Sequence, residues 1–515
     1  MAVRRTTLVI KGSILTIAAA ALAACGGSSD SGGSGSTQVS VPSVAGDTQA
    51  AATTAITGAG LTVGTVTTQS SSSVASGDVI SENPAAGTKV AKSSAVALLV
   101  SSGPTTQTVG GILIGLGTSA TVHVLNGSDD VPIAANGSFT LPTAVPSGGK
   151  YSVTVGTPSS AQTCAVQNGS GTIASTNVTN VVVYCTFNVS NATLNKAYTE
   201  VLADFDIPTN GGGAGGITDG VGTITYDGAG NWSLTATLNY GGIIAPGYQI
   251  TGTYAVTTTN AIPSLAGGGG IEGVNGDSDV GANMASGTPP SIYVDVLPDT
   301  AATTTSINGN YTLVDLSAQL SNGNIYGYEA TITLTNGTIS GTYTENNAGT
   351  ITTGNPATGQ WSVTNGVVTS VGSASGAVSA DGDLIVLADT NSGDDPYINV
   401  AVLRGSGVTQ ATVEGVYSVV EYGGTPVTST FGNVITLFAY GNGTFSVTST
   451  KNANGTIMAA STGTGTYTVA ADGTLTITDA EGDVYNGAIS ADGNALVLAS
   501  VASQQNPAIF VGVRQ

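Results

Sequence analysis

The sequence predicts a mainly β chain in which a small α+β domain and a β-sandwich precede three repeated antiparallel β-barrel or β-sandwich units. Threonine-rich segments alternate with turns, and 74 glycines are present. β-Branched residues favour strands, whereas glycine supplies the dihedral angles of turns. At 515 residues the chain exceeds one hydrophobic core, which predicts about three to five domains. Residues 194–515 also carry an internal repeat.

The first 24 residues are predicted to be a signal peptide rather than part of the fold. A basic start is formed by Arg4, Arg5 and Lys11. The apolar run at residues 14–22 follows, and it is too short to span a bilayer, which takes about 20 residues. We therefore exclude this segment from the fold and expect it to direct export.

A sequence that resembles a bacterial lipobox ends this segment. Its residues are Leu22, Ala23, Ala24 and Cys25. The resemblance implies a lipid on the Cys25 thiol, and Gly26 in the following position implies delivery to the outer membrane, with either a periplasmic or a surface-exposed chain. Residues 25–38 would then be the lipid anchor and a flexible Gly/Ser tether.

Residues 39–103 resemble a PASTA domain along their whole length. The matching motifs are, in order, Val41-Pro42-Ser43-Val44-Ala45-Gly46, Gly58-Ala59-Gly60-Leu61, Gly77-Asp78-Val79-Ile80 and Asn83-Pro84-Ala85-Ala86-Gly87-Thr88. The resemblance implies a helix packed on a three-stranded sheet and recognition of peptidoglycan stem peptides. The alanine-rich stretch 47–57 is the helix candidate, with Gly58 as its stop.

Two readings of this domain stay open, peptidoglycan binding and a rigid spacer. Ser43 stands where an acidic or amide residue is usual in the family, and the predicted helix carries alanine and threonine rather than charges. If the domain binds the wall, Lys89 and Lys92 are the candidate contacts, because the rest of the chain is strongly acidic.

Residues 105–187 predict a small antiparallel sandwich. Alternating apolar runs are separated by Asn-Gly pairs at 126–127, 136–137 and 168–169. The segment resembles an immunoglobulin-like module of secreted bacterial proteins. Cys164 and Cys185 are the remaining cysteines of an exported chain, so we predict a disulfide between them.

Residues 194–515 contain three repeats, predicted at 194–300, 307–404 and 413–515. Each opens with a tyrosine, has a central Gly-Thr-Tyr, and ends with a proline followed by an alternating strand. The opening tyrosines are Tyr198, Tyr311 and Tyr417, and the closing prolines are Pro290, Pro396 and Pro507. Landmarks in one order at one period indicate a duplicated unit large enough for its own core.

Turn residues divide the third repeat into nine short strands. They are predicted near 417–422, 433–440, 443–450, 455–460, 465–470, 473–478, 484–490, 495–500 and 508–514. Two-residue connections such as Asn442-Gly443 favour tight hairpins. The unit loosely resembles a calycin-type barrel. Seven residues are expected to fill its interior, namely Val434, Phe438, Phe445, Ile477, Leu496, Leu498 and Phe510.

Catalytic chemistry finds little support in the sequence, and we expect no enzyme and no cofactor. His123, the single histidine, lies in an alternating strand and is expected to face solvent. With 31 acidic residues available, a carboxylate pair is possible by number, but Asp381, Asp383 and Asp472 lie in predicted turns, whose local chemistry accounts for them.

Two loops, at residues 276–279 and 389–395, offer oxygen ligands at short spacing, as calcium requires. The candidates of the second loop are Asp389, Asn391, Asp394 and Asp395. Neither loop has the closing glutamate of the twelve-residue pattern, and the third repeat has no matching loop. We interpret each as a solvated turn, with a calcium site as the alternative.

The sequence as a whole favours a non-catalytic lipoprotein of the cell envelope whose β modules bind peptidoglycan or another surface. A net charge of −21 excludes nucleic acid as a partner, because phosphate backbones are repelled. The alternative is that the repeats are barrels carrying an apolar small molecule. An interior filled by side chains would favour the structural role, whereas a cavity would favour the ligand carrier.

Overall fold

The computed structural model divides the chain into two compact units, before and after Thr105. The structure describes residues 37–515 apart from several short gaps. These gaps are residues 118, 160–161, 189, 206–216, 241, 255–260, 266–267, 273–277, 283–289, 320–323, 348, 371–373, 392–394, 426–428, 455 and 501–505. The predicted signal peptide, lipobox and Cys25 lie outside the described residues.

The first unit is one helix packed on a three-stranded sheet, as the sequence predicts. Its elements are β1 (Gln38–Ser40), α1 (Gln49–Gly58), β2 (Thr62–Gln69), β3 (Val79–Asn83), β4 (Lys89–Ala91) and β5 (Ala95–Ser101). The sheet order is β2-β5-β3, and β1 pairs with β4. The Thr48 hydroxyl accepts a hydrogen bond from the backbone N–H of Ala51 at 3.2 Å and caps the helix. Ala52 and Ile56 are fully buried and fix the helix on the sheet.

The second unit begins with a sandwich of small sheets. Its strands are β6 (Thr106–Gln107), β7 (Val109–Ile114), β8 (Val122–Asn126), β9 (Asp129–Ile133), β10 (Gly137–Thr140), β11 (Val145–Pro146), β12 (Lys150–Ser152), β13 (Thr154–Val155), β14 (Gln162–Gln167), β15 (Ser170–Thr172) and β16 (Val178–Phe187). The main sheet has the order β10-β7-β16-β14. The expectation of a wholly antiparallel sandwich is wrong, because β16 pairs with β7 in parallel. This pairing joins the early and late parts of the module.

Three units of eight principal strands each follow, here called barrels 1, 2 and 3, and barrel 3 has one additional short side strand that is not counted among the eight. Barrel 1 contains β17 (Ala197–Phe205), β18 (Ile217–Tyr226), β19 (Asn231–Tyr240), β20 (Ile243–Thr253), β21 (Ala261–Leu265), β22 (Gly268–Glu272), β23 (Ser278–Ala282) and β24 (Ile292–Val296). Barrel 2 contains β25 (Gly309–Ala318), β26 (Ile325–Thr335), β27 (Thr338–Asn347), β28 (Thr350–Thr364), β29 (Val367–Ser370), β30 (Ala374–Val378), β31 (Leu384–Asp389) and β32 (Tyr397–Leu403).

Barrel 3 contains β33 (Gly415–Thr425), β34 (Ser429–Ala439), β35 (Thr444–Ala453), β36 (Thr456–Ile457), β37 (Ser461–Val469), β38 (Thr474–Asp479), β39 (Val484–Ile489), β40 (Ala495–Ala499) and β41 (Ala508–Arg514). These are the nine strands predicted from the turns. Short 3-10 helices at Asn191–Leu194 and Gln410–Val413 precede barrels 1 and 3.

In each barrel the first strand pairs with both the second and the last, so that the meander returns on itself. Barrels 2 and 3 are closed; in barrel 3, β36 is a short side strand on β35. In barrel 1 the described residues form no ladder between β20 and β21. The opening tyrosines Tyr198, Tyr311 and Tyr417 are at most 1% exposed and belong to the three separate interiors.

The outer faces of the three barrels share a further apolar core. It joins residues of all three repeats, such as Val294, Val400 and Val511, each 0% exposed. The first or second strand of each barrel contacts the seventh strand of the next, through β18 and β31, β25 and β40, and β33 and β23. The barrels therefore form a closed ring with approximate threefold symmetry, rather than independent beads or a linear array.

Equivalent asparagines near the ends of the third strands form hydrogen bonds to the neighbouring barrels. Asn239 Nδ2 donates to Asp389 Oδ2 at 2.8 Å, between barrels 1 and 2. Asn346 Nδ2 donates to the Ser500 carbonyl oxygen at 2.8 Å, between barrels 2 and 3. Asn452 occupies the corresponding position in barrel 3 and is also fully buried. Repeated polar contacts of this kind fix how the barrels pack on each other.

Candidate functional site

Barrel 2 encloses a cavity of about 420 Å³. This volume lies within the range of about 300–1,000 Å³ that is usual for small-molecule sites. Apolar side chains form much of the wall, including Leu313, Ile332, Ile339, Trp361 and Leu387. The cavity extends to the fourth strand, where Pro356 and Thr358 are solvent-exposed.

A carboxyl group points into the polar end of this cavity. Asp315 on β25 is 2% exposed, and the hydroxyl of Ser317 donates to its Oδ1 at 2.5 Å. Burial raises the pKa of Asp315 to about 8, and the nearby charge of Glu345 adds to the shift. Asn399 lies directly opposite on β32 and accepts a hydrogen bond from the Tyr328 hydroxyl at 3.3 Å.

Tyrosine rings surround the same end. Four tyrosines line the cavity, namely Tyr326, Tyr328, Tyr343 and Tyr397, and Trp361 lines its opposite, apolar end. The ring centroids of Tyr328 and Tyr343 are 5.2 Å apart with a tilt of 48°. Burial raises the pKa of Tyr328 well above its ordinary value, so its hydroxyl stays neutral. The cavity thus combines aromatic faces, neutral hydroxyls and one buried carboxyl.

Barrel 3 encloses a second cavity of about 400 Å³, which is more apolar. At its polar end the Asn433 side chain donates to the carboxylate of Glu421. Burial raises the pKa of Glu421, whereas the Asn433 hydrogen bond and the charge of Lys451 lower it. Tyr485 packs edge-on against Phe510, with centroids 5.0 Å apart.

Each cavity has one acid at an equivalent position, and Asp479 and Glu481 line the cavity of barrel 3 in addition. Asp315 and Glu421 each lie four residues after the opening tyrosine of their repeat, Tyr311 or Tyr417. An even spacing on a strand places them on the same inward face as that tyrosine. This position could have been read from the sequence once the repeats were aligned on their tyrosines.

The expectation of a filled barrel 3 is wrong. Phe445, Ile477, Leu496, Leu498 and Phe510 do belong to the interior cluster, as predicted. Val434 and Phe438 instead lie on the outer face of β34. Val434 packs against the core shared by the barrels, and Phe438 packs against the sandwich. Two large side chains are therefore missing from the interior, and a cavity remains.

Barrel 1 holds an acidic pair inside. Glu200 on β17 is 6% exposed and lies directly opposite Asp295, which is 0% exposed, on β24. Tyr226 donates its hydroxyl hydrogen to Asp295 Oδ2 at 3.1 Å. Burial raises the pKa of Glu200 to about 7. The sequence reading that placed acids mainly in turns therefore missed those on the barrel interiors, because it did not assign faces to the strands.

The predicted disulfide is confirmed. Cys164 and Cys185 are bonded and lie directly opposite each other on the neighbouring strands β14 and β16. Their cross-strand position ties the last strand of the sandwich to its neighbour. The loop of about 20 residues that it closes should contribute roughly 3 kcal/mol to the free energy of unfolding.

Lys89 and Lys92, the candidate wall contacts, are both solvent-exposed. Lys89 begins β4, and Lys92 follows the end of that strand. The first unit of the chain thus presents two ammonium groups from one short edge strand. His123 is 48% exposed, and its Nδ1 lies 2.5 Å from Asp130 Oδ1, within hydrogen-bond distance, which agrees with its expected place on the surface.

The calcium candidates do not share one solvated turn. Asp389 is 0% exposed, and its carboxylate accepts hydrogen bonds from the Asn239 side chain and from the backbone N–H of Asn391. Asn391 is exposed and Asp395 is half-buried, while Asp394 lies outside the described residues. Asp389 therefore belongs to the contact between barrels 1 and 2.

Comparison with known proteins identifies one domain. Residues 39–102 match the PASTA domain family. The extracellular region of the Ser/Thr kinase PrkC from Staphylococcus aureus aligns at 24% identity over 23% of this chain and 48% of that chain, with a TM-score of 0.12. This chain therefore spans about half the length of the PrkC region. No curated protein matches the chain.

A second solved structure aligns over the larger part of the chain. It is a protein with unknown function from the DUF3598 family of Nostoc punctiforme, at 6% identity, covering 64% of this chain and 100% of that chain, with a TM-score of 0.15. At TM-scores this low neither structural alignment supports an inference about the fold or the function. No helix among the described residues is both long and apolar enough to cross a membrane.

Proposed function

We propose that the protein is a non-catalytic, lipid-anchored component of the cell envelope that binds peptidoglycan through its PASTA domain. The observation that carries this proposal is the PASTA match at residues 39–102, directly after a Gly/Ser tether and a lipobox-like sequence. A flexible tether of 13 residues (26–38) has a root-mean-square reach of about 20 Å. That reach would bring the domain from an outer-membrane lipid towards the wall.

The local charge of the PASTA domain supports this assignment. Residues 39–103 carry three acids (Asp47, Asp78 and Glu82) and two lysines (Lys89 and Lys92), a net charge of 2 − 3 = −1. Residues 194–515 carry 25 acids and four bases, a net charge of 4 − 25 = −21, so the negative charge of the chain lies mostly in the repeats and the PASTA domain is only weakly repelled by an anionic wall. Its two exposed lysines are suited to pair with carboxylates of the stem peptides.

Co-sedimentation with purified sacculi tests wall binding. The first unit is compact by itself, so both the full chain and residues 37–105 are suitable samples. We expect both to pellet, and we expect Lys89→Glu with Lys92→Glu to weaken pelleting several-fold at low salt, because each reversal replaces attraction by repulsion. Lys150→Glu, in the sandwich, is the control and should have no effect. If neither sample pellets, the PASTA domain is a spacer.

The lipid anchor has its own test. Cys25→Ala removes the acceptor thiol, so the protein should leave the membrane fraction and its precursor should remain uncleaved by the lipoprotein peptidase. Fractionation followed by mass spectrometry of the N-terminus measures both. Normal processing and normal fractionation of Cys25→Ala would contradict the anchor, while leaving the PASTA proposal intact.

The non-catalytic part of the proposal rests on the histidine and the two cysteines that could serve in nucleophilic catalysis and that already have other partners. His123 is engaged with Asp130 on the surface, and Cys164 and Cys185 are oxidised to a disulfide. No nucleophile and base are therefore paired among these residues in the described part of the chain.

A second role, that of a small-molecule carrier, is favoured by the cavities of about 420 and 400 Å³ in barrels 2 and 3. Trp361 lines the first cavity, and Trp232 lies in barrel 1, so replacing Trp232 by Phe leaves one tryptophan as a reporter of barrel 2. Titration with a neutral aromatic alcohol, 2-phenylethanol, should saturate a change in Trp361 fluorescence. A strictly linear, non-saturating response would contradict the carrier role.

A further inference from the structure

The cavity of barrel 2 has features that select for charge as well as size. A buried carboxyl, an amide and four tyrosines lie at one end, and an apolar chamber with Trp361 lies at the other. No lysine, arginine or histidine is among the described residues that line it. Such a site needs a ligand with one cationic end and one apolar end.

We propose that barrel 2 binds a primary organic amine, with its ammonium group at Asp315 among the tyrosine rings and its apolar body against Trp361, Leu387 and Ile332. This inference rests on the carrier role of the barrels and goes beyond it by naming the ligand class. An ammonium group can donate to the Asp315 carboxylate and to Asn399 Oδ1, and it is attracted to the faces of Tyr328 and Tyr343.

The charge around the cavity excludes an anionic ligand. Residues 307–404 contain eight acids (Asp315, Glu329, Glu345, Asp381, Asp383, Asp389, Asp394 and Asp395) and one base (Arg404), a net charge of 1 − 8 = −7. A fatty acid or a phosphate would bring its negative charge into this acidic barrel without a cationic partner in the cavity lining, and it would oppose ionisation of Asp315. A cation instead compensates the ionised form of Asp315, whose carboxylate accepts a hydrogen bond from the neutral Ser317 hydroxyl.

Barrel 3 provides the internal contrast. Its equivalent acid, Glu421, accepts a hydrogen bond from Asn433 and feels the positive charge of Lys451. Lys451 also lies 4.0 Å above the Phe431 ring. Lys451 therefore compensates Glu421 in part, although Asp479 and Glu481 also line this cavity. No cation is among the described residues that line the cavity of barrel 2, so the two equivalent acids should differ in their demand for a cationic ligand.

Binding of an amine should be linked to proton release. With a pKa of about 8, Asp315 is mostly protonated at pH 7 while the cavity is empty, and an ammonium group favours the ionised form. The groups facing Asp315 are Tyr326 and Tyr328 from β26, Glu345 from β27 and Asn399 from β32, with Asp395 nearby. Glu345 raises the pKa of Asp315 further, and none of these groups is a cation that could neutralise the ionised carboxylate.

The experiment compares 2-phenylethylammonium with 2-phenylethanol in the full chain carrying Trp232→Phe, with Trp361 fluorescence as the readout. We expect the amine to bind at least tenfold more tightly than the alcohol at pH 7. Asp315→Asn should abolish this preference, so that the ratio of the amine and alcohol affinities falls to about one. Glu421→Gln, the matched change in barrel 3, should alter neither titration at Trp361.

Calorimetry in buffers of different ionisation enthalpy gives a second readout on the unmutated cavity. Close to one proton should be released per amine bound at pH 7, and none per alcohol, since an alkylammonium with a pKa of about 10 stays protonated there. Equal affinities for the two probes, or no proton release, would overturn the amine assignment while preserving the carrier role. No saturable binding of either probe would overturn both.

Discussion

At the scale of single residues, Asp219 is the acid whose burial is least compensated. It is 0% exposed on β18 at the contact between barrels 1 and 2. Burial, and then the charge of Asp389, raise its pKa to about 9, and the backbone N–H groups of Asp389 and Tyr397 offset this only in part. The equivalent positions in barrels 2 and 3 are Gly327 and Gly432. Barrel 1 thus places a carboxyl where the other two have no side chain.

This carboxyl should make stability depend on pH. The pKa of Asp219 is about 9 in the folded chain and about 3.9 in the unfolded chain. The free energy of unfolding therefore falls as the pH rises from 4 towards 9, because in that range only the folded chain keeps the proton. An asparagine at this position would not titrate, so Asp219→Asn should raise the free energy of unfolding more at pH 8 than at pH 5. The difference between the two gains should be roughly 4 kcal/mol, at about 1.4 kcal/mol per pH unit. Denaturant unfolding at both pH values measures this. The exposed Glu481→Gln is the control, and the same gain at both pH values would contradict the prediction.

The surroundings of a single residue can be predicted from the sequence when they depend on nearby residues of the chain, and not when they depend on a distant one. The Cys164–Cys185 bond follows from counting cysteines in an exported chain, and the surface position of His123 follows from its strand pattern. Asp389 was misassigned to a solvated turn, because its partner Asn239 lies 150 residues away. Only the packing of two barrels brings those side chains together.

At the scale of elements, turn chemistry predicts the strands well, whereas the faces of the strands need the register. All nine strands of the third repeat form where Gly and Asn turns place them. On β34, however, Ile435 and Leu437 point inward, and Val434 and Phe438 point outward. Both faces of this strand are apolar, because one meets the barrel interior and the other meets neighbouring modules. Alternation alone cannot identify the interior when both faces are buried.

At the scale of the whole molecule, the repeat predicts three similar barrels but not the ring that they form. The shared core is built mainly from the outer faces of the first, seventh and eighth strands of each barrel, with Ile325 and Ala377 from other strands of barrel 2. These strands have apolar residues on both faces, a pattern typical of strands covered on both sides. The sequence therefore indicates that both faces of these strands are buried. Which part of the molecule covers the outer face is known only from the three-dimensional contacts. Because the barrels pack on each other in this ring, the cavities of barrels 2 and 3 belong to one compact unit.

The shared core should make the three barrels unfold together. Val400 is fully buried in this core, and Val400→Ala removes two methyl groups from it, which should lower the free energy of unfolding by about 2 kcal/mol. Trp232 reports on barrel 1 and Trp361 on barrel 2, so each can be followed in a chain from which the other has been replaced by Phe. Because the core is common, both midpoints should fall by the same amount in denaturant. Val367→Ala, at a position 48% exposed in barrel 2, is the matched control and should change neither midpoint appreciably. A fall in the Trp361 midpoint with an unchanged Trp232 midpoint would mean that the barrels unfold as separate domains and that their common core is only a contact surface.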